Sequence, residues 1–301
     1  METRHIIVTG GAGFVGSHLI GRLLATYPDV RVTSIDNYFT GRRENHHDDD
    51  RVFYQQGDTR QISTLWQELD LPSPEAVFHL GEYSRIVQSF QDIDDVWEFN
   101  MRGTKEVVRF CHQHQAKLVY GGSSSKFGNQ GRDQHLSPYA WIKAKNIEYI
   151  TNYDAWFGLD YVITYFFNVF GPGHIKRGPY ATLIGIFEAQ YEEGAPLTVV
   201  SPGTQTRDFT HIEDIVAGIL LCFEKGKGDG YLLGTGQEHR IVDVAEMFGC
   251  PYVFTPERPG ERTSSKANIA KMKALGWIPQ HSLETYIAQW TETHQRPSCP
   301  Q

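Results

Sequence analysis

A run of β-branched residues meets three glycines near the start of the chain, and this junction constrains the fold more than any other stretch. Ile6, Ile7 and Val8 read as a buried parallel strand, and Gly10, Gly13 and Gly16 follow at a spacing of three. Leu19, Ile20, Leu23 and Leu24 then recur with a helical period. Glycine is needed where the backbone turns tightly, approaches a pyrophosphate closely and lets a helix sit on its strand. The helix N-terminus offers free N–H groups and a partial positive charge to the same anion. A second strand ends at Asp36, about 20 residues past the last glycine, where a carboxylate accepts ribose hydroxyls. That carboxylate would repel a 2′-phosphate, so the pattern predicts NAD over NADP. The competing reading is a glycine-rich turn in an unrelated α/β domain, and the flanking strand, helix and acid argue against it.

Further along, residues 52–55 read as a strand with Gly57, Asp58 and Thr59 at its end, where an adenine ring would be held. An amphipathic helix through Ile62, Leu65, Trp66 and Leu69 leads to a strand at 76–81. A long helix is predicted over about 95–113, and residues 117–120 form a fifth strand that runs into Gly121-Gly122-Ser123-Ser124-Ser125. This alternation predicts an open parallel sheet covered on both faces, with ligands at the carboxyl ends of its strands. Gly10, Asp36, Asp58, Gly81 and Ser123 all fall at strand ends and therefore on one rim. From Gly171 the pattern loosens, with a helix near 181–191, strand character at 207–212 and a helix over 213–224. The predicted organisation is a nucleotide-binding unit of residues 1–170, to which 207–235 return, and a smaller unit of 171–206 and 236–301.

A formal charge of −8 and the absence of any basic run argue against a nucleic-acid partner. Cys111, Cys222, Cys250 and Cys299 have no paired or metal-ligand spacing, which predicts reduced thiols in a cytoplasmic setting. The first strand begins almost at Met1, so no leader is expected, and no apolar run approaches the ~18 residues of a membrane span. His46 and His47 beside Asp48, Asp49 and Asp50 invite a metal-site reading. Consecutive loop residues rarely converge on one ion, so a solvated loop and no metal are expected.

Ser137-Pro138-Tyr139 opens a further helix that runs to about Phe157, and Tyr139 and Lys143 share one face of it, a turn apart. A phenol titrates near pH 10 and needs help to act as a base at neutral pH. A neighbouring ammonium favours the phenolate, and Lys143 could also donate to a nicotinamide ribose. Ser123, on a neighbouring strand end, could hydrogen-bond the same substrate hydroxyl. The alternative is a surface tyrosine with an incidental lysine, and the nucleotide fingerprint upstream weighs against it.

The order of motifs resembles the extended short-chain dehydrogenases/reductases, and within them the nucleotide-sugar epimerases of the UDP-glucose and UDP-N-acetylglucosamine 4-epimerase kind. It is carried by Gly10-x-x-Gly13-x-x-Gly16, Asp36-Asn37, Gly57-Asp58, His79-Leu80, Ser123-Ser124-Ser125, Tyr139-x-x-x-Lys143, Asn168-Val169-Phe170-Gly171-Pro172-Gly173, Arg207-Asp208-Phe209 and Arg258-Pro259-Gly260-Glu261. The resemblance covers nearly the whole chain. It implies a Rossmann doubly wound parallel sheet with a smaller α/β C-terminal substrate domain, bound NAD and a nucleotide-sugar substrate. It makes Tyr139 the base, Lys143 its partner and Ser123 the hydroxyl relay. The implied cofactor contacts are Gly10, Gly13, Phe14, Val15, Gly16, Asp36, Asn37, Thr40, Gly41, Asp58, Thr59, Leu80, Gly81 and Asn100, with Tyr139 and Lys143. The implied substrate contacts are Ser84, Ser124, Ser125, Asn168, Thr198, Arg207 and Arg258. A diphosphate in an acidic protein needs cationic forks, which favours the two arginines, although each could equally form a surface salt bridge.

The implied reaction inverts C4 through a 4-keto sugar. Related 4,6-dehydratases carry an Asp-Glu pair where Ser124 and Ser125 stand, which favours epimerisation over dehydration. A dehydratase, a decarboxylase, an epimerase at another carbon and a non-catalytic dinucleotide sensor remain the alternatives. The segment between Ser123 and Tyr139 is shorter than in the usual 4-epimerases. Gly81-Glu82 replaces the usual alanine pair after His79-Leu80, and Glu82 and Arg85 could read a sugar substituent or pair with each other. Ser265, aligned with the family's pocket-size residue, is small enough to admit an N-acetyl group. Helices near 95–113 and 139–157 carry apolar residues beyond one stripe (Trp141, Ile142, Ile147, Ile150, Trp156), and related enzymes pair such helices into a homodimer.

Overall fold

The computed structural model describes residues 4–127, 129, 133–260 and 262–297, so Cys299, Glu261 and part of the Ser123–Tyr139 segment lie outside the described residues. From the N-terminal side the elements are β1 (His5–Thr9), α1 (Phe14–Thr26), β2 (Arg31–Asp36), β3 (Val52–Gln56) and α2 (Ile62–Leu69). Next come β4 (Ala76–His79), α3 (Ile93–Val96), a π-helical segment over Trp97–Arg102 and α4 (Gly103–His114). They are followed by β5 (Lys117–Ser123), α5 (Pro138–Phe157), β6 (Tyr161–Phe166), β7 (Val169–Phe170), α6 (Leu183–Glu192) and β8 (Leu197–Val200). The short strands β9 (Thr206–Arg207) and β10 (Thr210–His211) precede α7 (Ile212–Lys225) and β11 (Gly228–Leu233). Then come β12 (His239–Arg240), α8 (Ile241–Met247), β13 (Tyr252–Thr255), α9 (Ala270–Ala274) and α10 (Leu283–Thr293).

Seven strands form one sheet in the order β11-β6-β5-β4-β1-β2-β3, and every neighbouring pair is parallel. This is the Rossmann-like α/β sheet expected from the strand–helix alternation. The strand order reverses direction between β1 and β4, and ligands of open α/β sheets bind at such a switch point. The main core is built on both faces of this sheet from residues such as Ile6, Val8, Phe78, Leu118 and Ile163, with Leu19, Leu23, Ile150 and Ile219 from the covering helices. A second, smaller core gathers Phe170, Phe187, Leu197, Val199, Val244, Phe248 and Trp290 around the parallel pair β8–β13. Ala267, Ile269, Met272 and Trp277, expected with the smaller unit, pack into the main core instead.

Local differences from the expected elements have clear causes. β5 runs three residues further than predicted, because Gly121 and Gly122 pair with Thr164 and Tyr165 of β6. A Cβ on Gly122 would lie 2.7 Å from the Thr164 carbonyl oxygen, so glycine here serves close strand packing and does not end the strand. The predicted helix over 95–113 is interrupted by the π-helical segment that carries Asn100. Ile142, Ile147 and Ile150 of α5 are buried within the chain, whereas Trp141 and Trp156 are exposed. Ser137 caps α5, accepting from Ala140 N at 3.1 Å, with Pro138 at the first helical position.

The turn from β1 into α1 leaves no space for side chains. Gly10 has φ +71°, and a Cβ on Gly16 would sit 2.1 Å from the Gly10 carbonyl oxygen. Gly16→Ala is therefore expected to destabilise the protein by about 1–3 kcal/mol through overpacking. Chemical denaturation would register this as a lower midpoint at unchanged slope.

His79, at the end of β4, is fully buried between Thr9 Oγ1 at 2.8 Å and Thr104 Oγ1 at 3.1 Å. Burial pushes its pKa down to about 4, and burial lowers His211 to about 4 as well. An unfolded histidine titrates near 6.5, so between pH 6.5 and 4 the unfolded chain binds more protons than the folded one. The contribution is whole above pH 6.5 and is lost as pH falls toward 4. The melting temperature is expected to drop across that window, and the drop should be shallower in His79→Asn when followed by circular dichroism.

Candidate active site

The carboxyl ends of β1, β2, β4 and β5 open into a cavity of about 790 Å³. On one side it is lined by the glycine turn and the start of α1: Gly10, Gly13, Phe14, Val15 and Gly16. A Cβ on Gly10 would lie 2.8 Å from the Gly81 backbone, so backbone rather than side chains forms this wall. Asp36 follows directly. Its Oδ2 accepts from Ala12 N at 2.9 Å and its Oδ1 from Tyr38 N at 2.8 Å, and burial pushes its carboxyl above the ordinary value. A Cβ on Gly41 would come within 2.8 Å of Asp36 Oδ1, which explains glycine there. Asn37, Thr40, Gly41, Thr59, Leu80 and Gly81 complete this side of the lining. An open glycine turn at a helix N-terminus with a fixed carboxylate beside it suits a dinucleotide's pyrophosphate and ribose.

The opposite wall brings together Ser84, Ser123, Ser124, Tyr139, Lys143, Asn168, Arg207 and Arg258. Ser123 Oγ accepts from Ser125 N at 3.2 Å and from Ser125 Oγ at 3.0 Å. Asn168 adopts φ +28°, a strained backbone for a residue with a side chain, and its Nδ2 donates to the Asp208 carbonyl at 2.7 Å.

Four expected contacts lie off the lining. Asp58 is held by Arg60, which donates from Nε to Oδ1 at 2.8 Å and from Nη2 to Oδ2 at 2.9 Å. Asn100 is fully buried and closes on the backbone of Tyr83, accepting from its N at 2.7 Å and donating to its O at 2.9 Å. Ser125 is buried behind Ser123, and Thr198 on β8 is paired with the Gln190 side chain. Ser265 is also buried off the cavity, so it does not set its width.

Other cavity residues went unrecognised in the sequence. Arg262 is buried, lines the cavity and donates to Ser124 Oγ at 3.4 Å, and its carbonyl accepts from Arg207 Nη1 at 2.8 Å. Arg207, Arg258 and Arg262 therefore all line the cavity. Tyr83 also lines it, and near it Tyr180 shares the Asp92 carboxylate, the two hydroxyls donating to Oδ2 at 2.8 and 3.0 Å.

Glu82 and Arg85 do not pair with each other. Arg85 turns to the Tyr180 and Ser84 carbonyls, while Glu82 turns inward to Lys143. His46 stacks on Tyr54 at 3.7 Å between ring centroids, and His47 Nε2 lies 2.8 Å from the Ser17 carbonyl, so the two rings are occupied separately. No group of His, Cys, Asp or Glu among the described residues has the arrangement of a metal site.

The fold is shared with known proteins. At 26% identity, the chain resembles a putative UDP-glucose 4-epimerase of Methanocaldococcus jannaschii, over 97% of this chain and 99% of that one. Among solved structures, UDP-glucose 4-epimerase of Thermotoga maritima, crystallised with UDP-glucose, superposes with a TM-score of 0.87 at 25% identity, covering 96% of this chain and 97% of that one. A dTDP-glucose 4,6-dehydratase of Streptomyces venezuelae with NAD bound gives 0.86 at 27% identity, covering 96% of each chain. The family model for NAD dependent epimerases/dehydratases matches residues 6–234, and the chain belongs to that family.

Proposed function

We propose that this protein is an NAD-dependent epimerase that inverts C4 of a nucleoside-diphosphate hexose, with UDP as the nucleotide, through a 4-keto sugar. Reversible hydride transfer at the sugar carbon is the chemistry that NAD would supply when bound. Tyr139 takes the proton of the sugar hydroxyl as the hydride leaves, and Ser123 hydrogen-bonds the same oxygen. Asp36 would hold the adenosine ribose, and the backbone between Gly10 and Gly16 would receive the pyrophosphate. Arg207, Arg258 and Arg262 hold the substrate diphosphate, and Asn168 contacts the substrate beside them.

The observation that carries this reading is that Tyr139 and Ser123 open onto the same cavity as the glycine turn and Asp36. Serines at 124 and 125 favour epimerisation, since hydroxyls cannot act as an acid/base couple on C5 and C6 near neutral pH. On the same reading, the smaller unit of 171–206 and 236–301 closes over the sugar. Two chains pair through α5 and the preceding helical segment, where exposed Trp97 and Trp141 stack with ring centroids 6.5 Å apart. Free thiols at Cys111, Cys222 and Cys250 support a cytoplasmic setting, and no helix among the described residues is long and apolar enough to cross a membrane.

The test is turnover on UDP-, GDP-, CDP- and TDP-hexoses with NAD retained. Interconversion of C4 epimers without net reduction of added NAD is expected. Accumulation of a 4-keto-6-deoxy product would replace epimerisation with dehydration, and no turnover on any sugar would favour the sensor. Tyr139→Phe is expected to lower kcat about 10²–10⁴-fold while bound NAD, measured after denaturation, is unchanged. Arg262→Ala is expected to raise KM for the nucleotide sugar about 10-fold or more with little change in kcat, since it removes a charged hydrogen bond made equally in ground and transition states.

A further inference from the structure

The turn beyond β4 carries a cation that no acid among the described residues neutralises. Residues 84–88 line the cavity without a break. Ser89 Oγ donates to the Ile86 carbonyl at 2.6 Å and accepts from Tyr139 N at 3.4 Å, which seats this turn on the start of α5. On its other side Ile86 meets the loop that carries Arg258, since a Cβ on Gly260 would lie 2.9 Å from Ile86 Cγ2. In the reading given above, Tyr139 meets the sugar hydroxyl at C4 and Arg258 holds the diphosphate on C1. The turn therefore touches the elements that hold both ends of the sugar ring.

Arg85 stands in the middle of this turn and is partly buried. Its Nε donates to the Tyr180 carbonyl at 2.8 Å, its Nη2 donates to the same oxygen, and its Nη1 donates to the Ser84 carbonyl at 2.9 Å. A guanidinium has five N–H groups. One on Nη2 is left with no acceptor among the described residues, and one on Nη1 has only the Ser84 hydroxyl at 3.4 Å. None of these partners is charged. The nearest acids in sequence on either side are committed elsewhere: Glu82 pairs with Lys143, and Asp92 Oδ2 accepts from the Tyr83 and Tyr180 hydroxyls at 2.8 and 3.0 Å. Arg60, by contrast, is matched by both Asp58 and Glu98. A partly desolvated cation without a counter-charge is unfavourable, and an anion entering the cavity would offset that cost. Two N–H groups in one guanidinium plane match the two oxygens of a carboxylate.

We propose that Arg85 reads a carboxylate on the sugar, so that the substrate is a nucleoside-diphosphate hexuronate with its acid group at C6. This names the sugar class of the epimerase reading and rests on that reading for the direction of the sugar in the cavity. A neutral hexose would present only a primary hydroxyl and leave the Arg85 charge unmatched.

Calorimetric titration of the NAD-loaded protein with UDP-glucuronate, UDP-galacturonate and UDP-glucose measures the preference, and the Tyr139→Phe background keeps turnover from disturbing it. The uronates are expected to bind about 10–100-fold more tightly than UDP-glucose, the range for hydrogen bonds to a charged group. Arg85→Met is expected to bring that ratio close to one, and Arg85→Lys to restore part of it. An Arg85 that only straps Tyr180 in place would weaken all three ligands in parallel and leave the ratio as in the parent. Where circular dichroism shows Arg85→Met to be misfolded, the ratios in the parent and in Arg85→Lys decide. Equal affinity for uronate and hexose in the parent overturns the proposal, as does a ratio that Arg85→Met leaves in place or binding of none of the three. Turnover judges the epimerase reading separately. A uronate preference without C4 inversion would remove the epimerase and keep the carboxylate site, whereas inversion of UDP-glucose without any uronate preference would do the reverse.

Discussion

Backbone meets backbone where β1 and β4 end, and the rest of the site depends on that approach. A Cβ on Gly10 would fall 2.8 Å from the Gly81 Cα, and a Cβ on Gly81 would fall 2.9 Å from Gly10 N. Thr9 Oγ1 reinforces the contact by accepting from Leu80 N at 3.1 Å and from Gly81 N at 3.0 Å. These two strand ends flank the point where the sheet order reverses, so a crevice opens there between neighbouring chain crossings. Side chains at either position would push the strands apart and close the crevice.

Tied to this junction is the carboxylate of Asp36, which binds the backbone of Ala12 in the glycine turn and of Tyr38 beyond β2. Arg42 N and Asn45 Nδ2 both donate to the Ala12 carbonyl, at 2.9 and 2.8 Å. Three hydrogen bonds thus reach Ala12 of the glycine turn from the β2 side, so the turn is shaped before any ligand arrives. Preformed geometry reduces the ordering entropy that a flexible loop would lose on binding.

What the sequence made legible was local. The glycine spacing, the acid at the end of β2 and the Tyr139–Lys143 helix face each follow from a short stretch and its period, and all lie on the cavity. What stayed hidden depends on distant partners. Asp58 sits at a strand end as expected, yet Arg60, itself bonded to Glu98, takes its carboxylate. Asn100 sits in a π-helical segment that no spacing announced and holds the backbone of Tyr83 in place of a ligand. Arg262 had no periodic context, since it follows the Arg258-Pro259-Gly260-Glu261 motif in a loop. The loop's path onto Ser124 is a tertiary fact.

Glu82 shows how such distant partners can redefine a local motif. With Thr104 donating to Glu82, His79 donates from Nε2 to Thr104 and accepts from Thr9 at Nδ1, a chain that runs from β1 through β4 and α4 to Lys143 on α5. Every step in that chain is buried, and neutral His79 lets it carry a negative charge at one end without a second cation inside. A carboxylate buried without such partners would cost several kcal/mol or take up a proton. Here the lysine supplies the counter-charge, so its ammonium is bound to Glu82 even though Lys143 borders the cavity beside Tyr139.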